Sequence, residues 1–330
     1  MVTVIAHGGK GAHEFVGALL LAALFLLGGC AQMVPQTMAL RTTWPTGVPQ
    51  ATELTNVPFF AQHSFQCGPA ALAMTLQNVG LGVTPDELVP QVYLPERKGS
   101  LQVEMLAVPR RYGMISYQLA PRFDDLLKEV AAGNPVIVLH DQGAGPISSW
   151  HYAVVVGYDY PAGELILRSG TTRRTTLPFT IFEYFWKKSN YWAMVVVPAN
   201  RIPATATESN YLSAVTAMAQ SADGVANTAV TTSAYKSLLG RWPDNLTASI
   251  ALGNYYYSAG ALKDAEQVLR DASRRHPDSV VVMNNLGQTL SDQGQNNEAL
   301  KLIDMAQAQP SPFAENLRET RELIVQRLKH

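Results

Sequence analysis

A 34-residue periodicity in the last third of the chain is the sequence feature that most restricts the fold. Four landmarks recur at this spacing: Pro243 with Pro277, Leu252-Gly253 with Leu286-Gly287, Gly260 with Gly294, and Ala265 with Ala299. A unit of this length that repeats is a supersecondary structure, and it buries its apolar face against the next unit. The region is therefore predicted to be a stack of helix pairs, with a generic helical bundle as the alternative.

The period and the motif Leu252-Gly253-x-x-Tyr256 resemble the tetratricopeptide repeat. The resemblance implies a repeat region over residues 211–330 that binds a protein or peptide partner. Its two clear repeats are predicted to contain four helices, over about residues 246–259, 262–276, 280–293 and 297–308. Because two repeats bury little surface, Tyr211–Leu239 is predicted as a degenerate preceding pair and a last helix as a cap. The apolar face of that cap consists of Phe313, Leu317, Ile324 and Leu328.

The N-terminus has the pattern of an export signal. Lys10 and His13 precede an apolar run from Phe15 to Leu27, which is short for a transmembrane helix but suits the core of a signal peptide. The run ends in Leu27-Gly28-Gly29-Cys30, which resembles the lipobox of bacterial lipoproteins. We expect residues 1–30 to be a lipoprotein signal with lipid on the Cys30 thiol; the alternatives are an ordinary secretory signal and a short membrane anchor.

The resemblance to lipoproteins also implies a location in the bacterial cell envelope. In such proteins an Asp after the lipidated cysteine favours the inner membrane, and here that residue is Ala31. We therefore expect lipid anchoring in the outer membrane, facing the periplasm. Residues 31–56 contain Pro35, Pro45 and Pro49 and no sustained apolar period, so they are predicted to be an extended tether between the lipid and the folded part.

The composition excludes some classes of function. The net charge is −1, from 25 basic and 26 acidic residues, and no basic stripe indicates nucleic-acid binding. Neither H-E-x-x-H nor C-x-x-C occurs, so no metal site is predicted, and no cofactor is expected. With 330 residues, of which 47% are hydrophobic, the chain is long enough for more than one domain.

Residues 57–198 are predicted to form an α+β domain, with helices first and an antiparallel sheet afterwards. Ser100 is expected to be the N-cap of a helix that ends near Tyr112. Other helices are predicted at Cys67–Val79, Arg122–Ala132 and Phe179–Trp186, and strands at Ile115–Leu119, Pro135–Leu139, Tyr152–Tyr158, Leu165–Arg168 and Trp192–Val197. Residues 199–210, rich in Ala and Thr, are predicted to be a hinge-like linker to the helical region.

A lone cysteine begins the first of these helices. Cys67 is followed by Gly68 and Pro69, and the free N–H groups at a helix start stabilise an anion. Its thiol is therefore predicted to lean toward the thiolate. If Cys30 carries lipid, Cys67 has no disulfide partner in the chain. The alternative is a buried structural cysteine in a core helix.

A thiolate nucleophile needs a base for its proton and donors for the oxyanion. Three histidines are candidates for the base: His151 at the start of a predicted strand, His140 at the end of the preceding one, and His63 shortly before Cys67. Their spacing in the sequence does not choose among them.

Three segments in order resemble the papain-like peptidases of the double-glycine, bacteriocin-processing family, family thirty-nine of the cysteine peptidases. They are Gln62 with Cys67-Gly68-Pro69-Ala70-Ala71, then Gly133-Asn134-Pro135-Val136, then His151-Tyr152-Ala153-Val154. The resemblance covers about residues 57–198 and implies a papain-like fold. It also implies that Cys67 is the nucleophile, that His151 is the general base and then the acid, and that Gln62 and the backbone N–H of Cys67 are the oxyanion donors.

The third catalytic position departs from that family, which commonly has Asp-Pro after the strand that follows the histidine. Here Ser169 occupies that place. As a neutral group it could orient the imidazole, but it would not stabilise an imidazolium as a carboxylate does. Asp141 and Asp159 are the alternatives.

These patterns predict an exported, lipid-anchored cysteine peptidase that cleaves peptide bonds through a thioester on Cys67. Ser169 motivates a second hypothesis, in which the peptidase-like domain has little or no activity and the protein is an assembly or binding lipoprotein that works through its repeats. In a third hypothesis, the acyl group of the thioester is transferred to an amine, as in a transpeptidase or an amidase.

Overall fold

The computed structural model describes residues 33–62, 66–143, 147–221 and 228–329. The predicted signal segment with Cys30, and also His63, lie outside the described residues. Within the described ranges, no helix combines the length and the apolar character that a membrane span requires.

A mainly antiparallel sheet of seven strands organises the first part of the chain. Its strands are β1 (Ala51–Glu53), β2 (Met114–Gln118), β3 (Val136–Asp141), β4 (Trp150–Asp159), β5 (Glu164–Ser169), β6 (Thr172–Pro178) and β7 (Ala193–Pro198). They lie in the order β2-β7-β3-β4-β5-β6, and β1 pairs with the far end of β4. The predicted α+β order is confirmed.

Helices cover both faces of the sheet, which explains why its central strands are apolar on both sides. They are α1 (Pro35–Thr42), α2 (Cys67–Asn78), α3 (Pro85–Val92), α4 (Gln102–Arg111), α5 (Phe123–Ala131) and α6 (Phe179–Trp186). On one face α2 packs its Ala-rich surface against Tyr152 and Val154 of β4. On the other face Phe123 of α5 and Phe182 of α6 lie against Val138 and Val155.

Strand β6 and helix α3 have no counterpart among the predicted elements. Strand β6 is an edge strand with a polar sequence, so no hydrophobic alternation marks it in the sequence. It is recognised only from its pairing with β5. Helix α3 begins directly after its N-cap residue Thr84, which forms a capping box with Glu87.

The expectation for Ser100 was wrong, because helix α4 begins at Gln102 and the side chain at its N-cap position makes no capping hydrogen bond.

The segment before β1 differs from the predicted extended tether. Helix α1 docks on α6: the backbone N–H groups of Gln36 and Thr37 donate to the two carboxylate oxygens of Glu183, at 2.9 and 2.6 Å. Glu183 is buried, and a carboxylate at the start of a helix is stabilised by the free N–H groups there. The segment is therefore part of the folded domain, through a contact that sequence proximity does not reveal.

The second part of the chain is helical, as the periodicity predicts. Its helices are α7 (Glu208–Ala219), α8 (Thr228–Arg241), α9 (Leu246–Ser258), α10 (Leu262–Arg275), α11 (Val280–Asp292), α12 (Asn296–Gln307) and α13 (Ala314–Leu328). The repeated glycines lie where paired helices touch. A Cβ on Gly253 would come within 2.8 Å of Leu269, and one on Gly287 within 2.7 Å of Ile303.

The cap prediction is met in part. In α13, Leu317 and Ile324 are buried against the preceding helices, whereas Phe313 and Leu328 are exposed.

The segment between the two parts is held by hydrogen bonds, which differs from the predicted hinge. The backbone N–H and the hydroxyl of Thr205 both donate to Glu129 at 2.7 Å, and Tyr117 bonds to Thr205 and to Thr207. Helix α7 packs on β2, so the apolar core runs from the sheet into the first helices of the repeat region.

Candidate active site

A cleft of about 820 Å³ opens where helix α2 begins and where strand β4 begins. Three of the four predicted catalytic residues line it: Gln62, Cys67 and His151. Ser169 is not among the lining residues; it is connected to the cleft through its hydrogen bond with His151. Cys67 is brought here because the Ala-rich face of α2 packs on the sheet, which leaves the N-terminus of the helix beside the start of β4.

His151 and Ser169 lie on neighbouring strands, and the Nε2 atom of His151 is 2.9 Å from the Ser169 hydroxyl oxygen. If that oxygen accepts, the Nε2 atom carries the proton and Nδ1 is left as the base. Burial lowers the pKa of His151 to about 4, which favours the neutral imidazole.

The predicted thiolate is not the resting state of Cys67. Burial raises the pKa of the thiol above its ordinary value. The backbone N–H groups of Tyr152, Gly68 and Cys67 itself lower that pKa, but by less than burial raises it. A neutral thiol therefore faces the same cleft as a neutral imidazole, and His151 has to take the proton as the thiol attacks.

Gln62 is held across the ends of two strands. Its backbone N–H donates to the carbonyl of Gly170 at 2.9 Å, and its side-chain oxygen accepts from the N–H of Gly170 at 3.0 Å. Its side-chain nitrogen lies 3.4 Å from the carbonyl oxygen of Tyr152. Because an amide nitrogen carries two hydrogens, one further donor remains on the Gln62 side chain. These hydrogen bonds hold the Gln62 amide in the wall of the cleft.

The start of helix α2 supplies backbone donors. No side chain caps this helix start, so the first N–H groups are not used by a cap. Since Pro69 has no N–H, the donors that this helix start offers to the thiol are those of Cys67 and Gly68. An oxyanion formed at Cys67 would meet these N–H groups and the positive end of the helix dipole.

Comparison with protein families identifies this part of the chain. Residues 54–194 match the Peptidase_C39 like family. They are a C39-like peptidase domain. A tetratricopeptide repeat matches at residues 256–312. A comparison with curated proteins finds no match to this sequence.

Several solved structures are similar to the chain, including the following two. One, from Bacillus anthracis and described as a C39-like peptidase, is 19% identical with a TM-score of 0.38, over 44% of this chain and 97% of that one. The other is the peptidase domain of Streptococcus ComA, a bi-functional ABC transporter involved in a quorum-sensing pathway. It is 16% identical with a TM-score of 0.36, over 43% of this chain and 99% of that one.

The C39-like domain contains a second histidine beside the first. His140 lies directly opposite His151 in the β3–β4 pair, with their ring centres 5.5 Å apart. It is buried and its ring lies against Phe182 rather than in the cleft wall. Burial, with a smaller contribution from His151, lowers the pKa of His140 to about 3. Of the two, His151 is therefore the one that lines the cleft together with Cys67.

The two aspartates considered as orienters have other partners. One oxygen of Asp141 accepts from the backbone N–H groups of Gly143 and Ser149, and the other lies 3.3 Å from the Lys188 amine. Asp159 accepts from the N–H of Ala162 in the β4–β5 turn. Among the described residues, Ser169 is thus the side chain that orients His151.

Ser100 is a residue of the cleft that sequence reasoning did not connect with it. Its hydroxyl is buried and, among the described residues, has no hydrogen-bond partner. It lines the cleft, and a Cβ on Gly68 would lie 2.7 Å from the Ser100 Cβ. This close approach explains why glycine follows the cysteine. No local sequence signal indicates it, because 32 residues separate the two positions.

The described part of the domain offers no group of three His, Cys, Asp or Glu side chains placed to hold a metal ion. The groups that the cleft does present are a thiol, an imidazole and hydrogen-bond donors, which suit acyl transfer.

Proposed function

We propose that the chain is an exported, lipid-anchored cysteine peptidase that hydrolyses peptide bonds through a thioester on Cys67. The observation that supports it most is the shared cleft of Cys67 and His151, with the His151 ring held 2.9 Å from Ser169. Membership of residues 54–194 in a peptidase family agrees with this chemistry.

The geometry supports the following sequence of steps. His151 takes the thiol proton as the sulfur of Cys67 attacks the peptide carbonyl carbon, and the carbonyl oxygen becomes an oxyanion. The N–H of Cys67 and the side-chain amide of Gln62 stabilise that oxyanion. The imidazolium then gives its proton to the leaving amine, which leaves a thioester. Water, deprotonated by His151, attacks the thioester, and the carboxylic acid and the free thiol are formed.

A peptide library tests this proposal directly. The wild-type chain is expected to cleave library members, and Cys67→Ala and His151→Ala should each lower kcat/KM by about a thousandfold or more. Circular dichroism and melting temperature serve as controls, because neither side chain is needed to build the sheet. If all three folded proteins behave alike in the assay, the peptidase proposal is wrong. Adding a simple amine to the reaction shows whether the thioester goes to water or to an amine acceptor.

One observation favours a second function, that of a binding or assembly lipoprotein with little or no activity. The orienter Ser169 is neutral, and the resting thiol and imidazole are both neutral too, so no ion pair is preformed. The helical repeats would then be the functional part. The same library assay decides between the two, because this second function requires that the wild-type protein cleave nothing.

The lipid anchor is a separate part of the proposal. It is supported by the apolar run and by the lipobox-like end at Cys30. In a bacterial host, Cys30→Ser should move the protein from the membrane fraction to the soluble periplasmic fraction, and mass spectrometry should show acyl chains on the wild-type Cys30 peptide. Separation of inner and outer membranes tests the outer-membrane location.

The repeat region is proposed to hold a protein or peptide partner near the cleft-bearing domain. Amide side chains on successive repeats support this: Asn285 of α11 donates to Asn254 of α9 at 2.9 Å, and such groups hydrogen-bond well to a peptide backbone. Photo-crosslinking from position 254 in cells should trap a protein that crosslinking from position 305, an exposed site on α12, does not. Equal yields at both positions would contradict a specific partner surface.

A further inference from the structure

Helix α6 carries an apolar stripe on its outer side. Ile181 and Tyr184 are 44% and 38% exposed, and Phe185 beside them is half-buried. These three positions share one side of a helix because they are spaced by three and four residues. The opposite side packs Phe182 and Trp186 into the core. The exposed side chains are therefore not needed to hold the helix in place.

The N-terminal segment of the folded chain reaches the same place. Glu183 of α6 binds the start of α1, and the Lys187 amine donates to the carbonyl of Met33 at 3.1 Å. Met33 and Met38 are 45% and 38% exposed. Helices α1 and α6 touch, and their region carries four exposed apolar side chains and the half-buried Phe185. We call this set the α1–α6 surface: Met33, just before α1, with Met38, Ile181, Tyr184 and Phe185.

The length of chain between this surface and Cys30 is short. Cys30 lies three residues before Met33, so their Cα atoms are at most about 11 Å apart. Because α1 is docked on α6, there is no long tether that could let the domain move away. A lipid on Cys30 would hold the α1–α6 surface within that distance of a bilayer.

The charges around the surface suit an anionic bilayer. Lys187 and Lys188 follow the stripe, and the Lys188 amine lies 5.5 Å from the ring centres of both Tyr184 and Phe185. Apolar and aromatic side chains with flanking lysines are typical of segments that lie in the membrane interface. The nearby carboxylates are buried: Glu183 is bound to α1, and Asp141 pairs with Lys188, so the attraction to an anionic bilayer comes mainly from Lys187.

We propose that the α1–α6 surface, with Lys187 and Lys188, docks on an anionic phospholipid bilayer. This inference rests on the lipid anchor of the proposed function and adds the orientation of the domain.

Docking through this surface also sets the position of the cleft relative to the bilayer. Asp141 links Lys188 to the loop before β4, because it accepts from the N–H of Ser149 and contacts the Lys188 amine. On that loop Ile147 is 75% exposed, and Trp150, in the cleft wall, is 50% exposed. One rim of the cleft therefore lies beside the bilayer, and its substrates are peptide segments close to the membrane surface.

Quenching by lipids with brominated acyl chains tests the docking. The lipidated full chain is reconstituted in vesicles of phosphatidylethanolamine and phosphatidylglycerol, and the fluorescence of Tyr184→Trp and of the control Leu323→Trp is compared with that of the wild type. Leu323 is 55% exposed and lies in the last helix of the repeat region. We expect the fluorescence added by Tyr184→Trp to be quenched at least twofold and the fluorescence added by Leu323→Trp to be unchanged. Lys187→Gln should weaken quenching in anionic vesicles but not in neutral ones.

The anchor and the docking fail in distinguishable ways. Flotation and the mass of the Cys30 peptide report lipidation before any quenching is measured. If the chain floats but the tryptophans added at positions 184 and 323 are quenched equally or not at all, the docking inference is overturned while the anchor stands. If Cys30 carries no lipid, a Cys30→Ser chain is attached through an N-terminal histidine tag to nickel-chelating lipid, and the same comparison decides the docking. Detection of a protein bound at Tyr184 instead of lipid would also overturn it.

Discussion

The two parts of this chain are built from contacts of different range. In the repeat region the tightest contacts join neighbouring helices, as when Gly253 of α9 meets Leu269 of α10 sixteen positions later. In the C39-like domain, Cys67 and His151 share a cleft although 84 residues separate them. A periodic sequence therefore describes the first kind of structure well, whereas the second depends on how strands are ordered in a sheet.

Both parts nevertheless share an apolar core. Helix α7 packs on β2, and the residues that join the two parts are bound to Glu129 and Tyr117. A change confined to one part can therefore lower the stability of the other. Substitutions and changes of pH that act on one part measure how far the two kinds of contact behave independently.

Acid is expected to have the largest effect on stability, and to act on the C39-like domain first. The pKa of His140 is about 3 and that of His151 about 4 in the folded protein, against about 6.5 in an unfolded chain. Between these values the unfolded chain binds protons that the folded chain does not, so stability falls as the pH drops from about 6.5 to about 3. For buried His140 the loss is on the order of 4 kcal/mol.

Melting curves at pH 7 and pH 4.5 measure this effect, and His140→Asn is the control because it removes the more buried of the two titrating groups. The variant should lose less stability on acidification than the wild type. Pepsin at pH 4.5 should cut between β3 and β4 before it cuts in α11 or α12. First cuts in the repeat helices would show that the buried histidines are not the weak point.

Ser169→Ala removes the hydrogen bond that orients His151. We expect kcat/KM on a library substrate to fall by about ten- to a hundredfold, with little change in melting temperature, because the hydroxyl is near the end of the sheet rather than in its core. Ser169→Asp would place a carboxylate beside the ring and raise the pKa of His151 from about 4. The acid limb of its pH–rate profile should then lie at a higher pH than in the wild type. If neither substitution changes kcat/KM or the pH–rate profile, Ser169 has no role in the active site.

Gly287→Ala tests the local contact of the repeats. Its Cβ would come within 2.7 Å of Ile303, so α11 and α12 have to separate or Ile303 has to move. Overpacking of this kind costs about 1–3 kcal/mol, which chemical denaturation measures. The kcat/KM of the cleft should stay the same, since Cys67 and His151 lie in the other part. Lost activity at full folding would show that the two parts are coupled.

Gly240→Ala is the matched control with the smallest expected effect. Gly240 lies in helix α8, and among the described residues no atom apart from the neighbouring backbone of its own helix lies within 4 Å of a Cβ placed there. Replacing glycine by alanine in a helix should therefore stabilise the protein by up to about 1 kcal/mol. If Gly240→Ala destabilises the chain as much as Gly287→Ala does, the close approach at Ile303 is not the cause.

Much of the fold could be predicted from local patterns. The repeat helices follow from the 34-residue period, and helix α6 has the bounds Phe179–Trp186 that its aromatic-rich segment predicted. Strand β6 could not be predicted, since an edge strand with a polar sequence carries no alternation that marks it. Helix α1 was predicted as part of a tether because the partner that holds it, Glu183, is 146 residues away from Thr37.

The candidate site divides in the same way. The sequence by itself determined that Cys67 begins a helix and that His151 begins a strand, since Gly, Pro and Val patterns are local. The family resemblance pointed to His151 and Ser169, but only the tertiary structure decided that His151 rather than His140 lines the cleft and that Ser169 rather than Asp141 is hydrogen-bonded to it. It also decided that burial raises the pKa of the thiol, which keeps the thiol neutral. These choices depend on strand register and on burial, which are set by residues far apart in the chain.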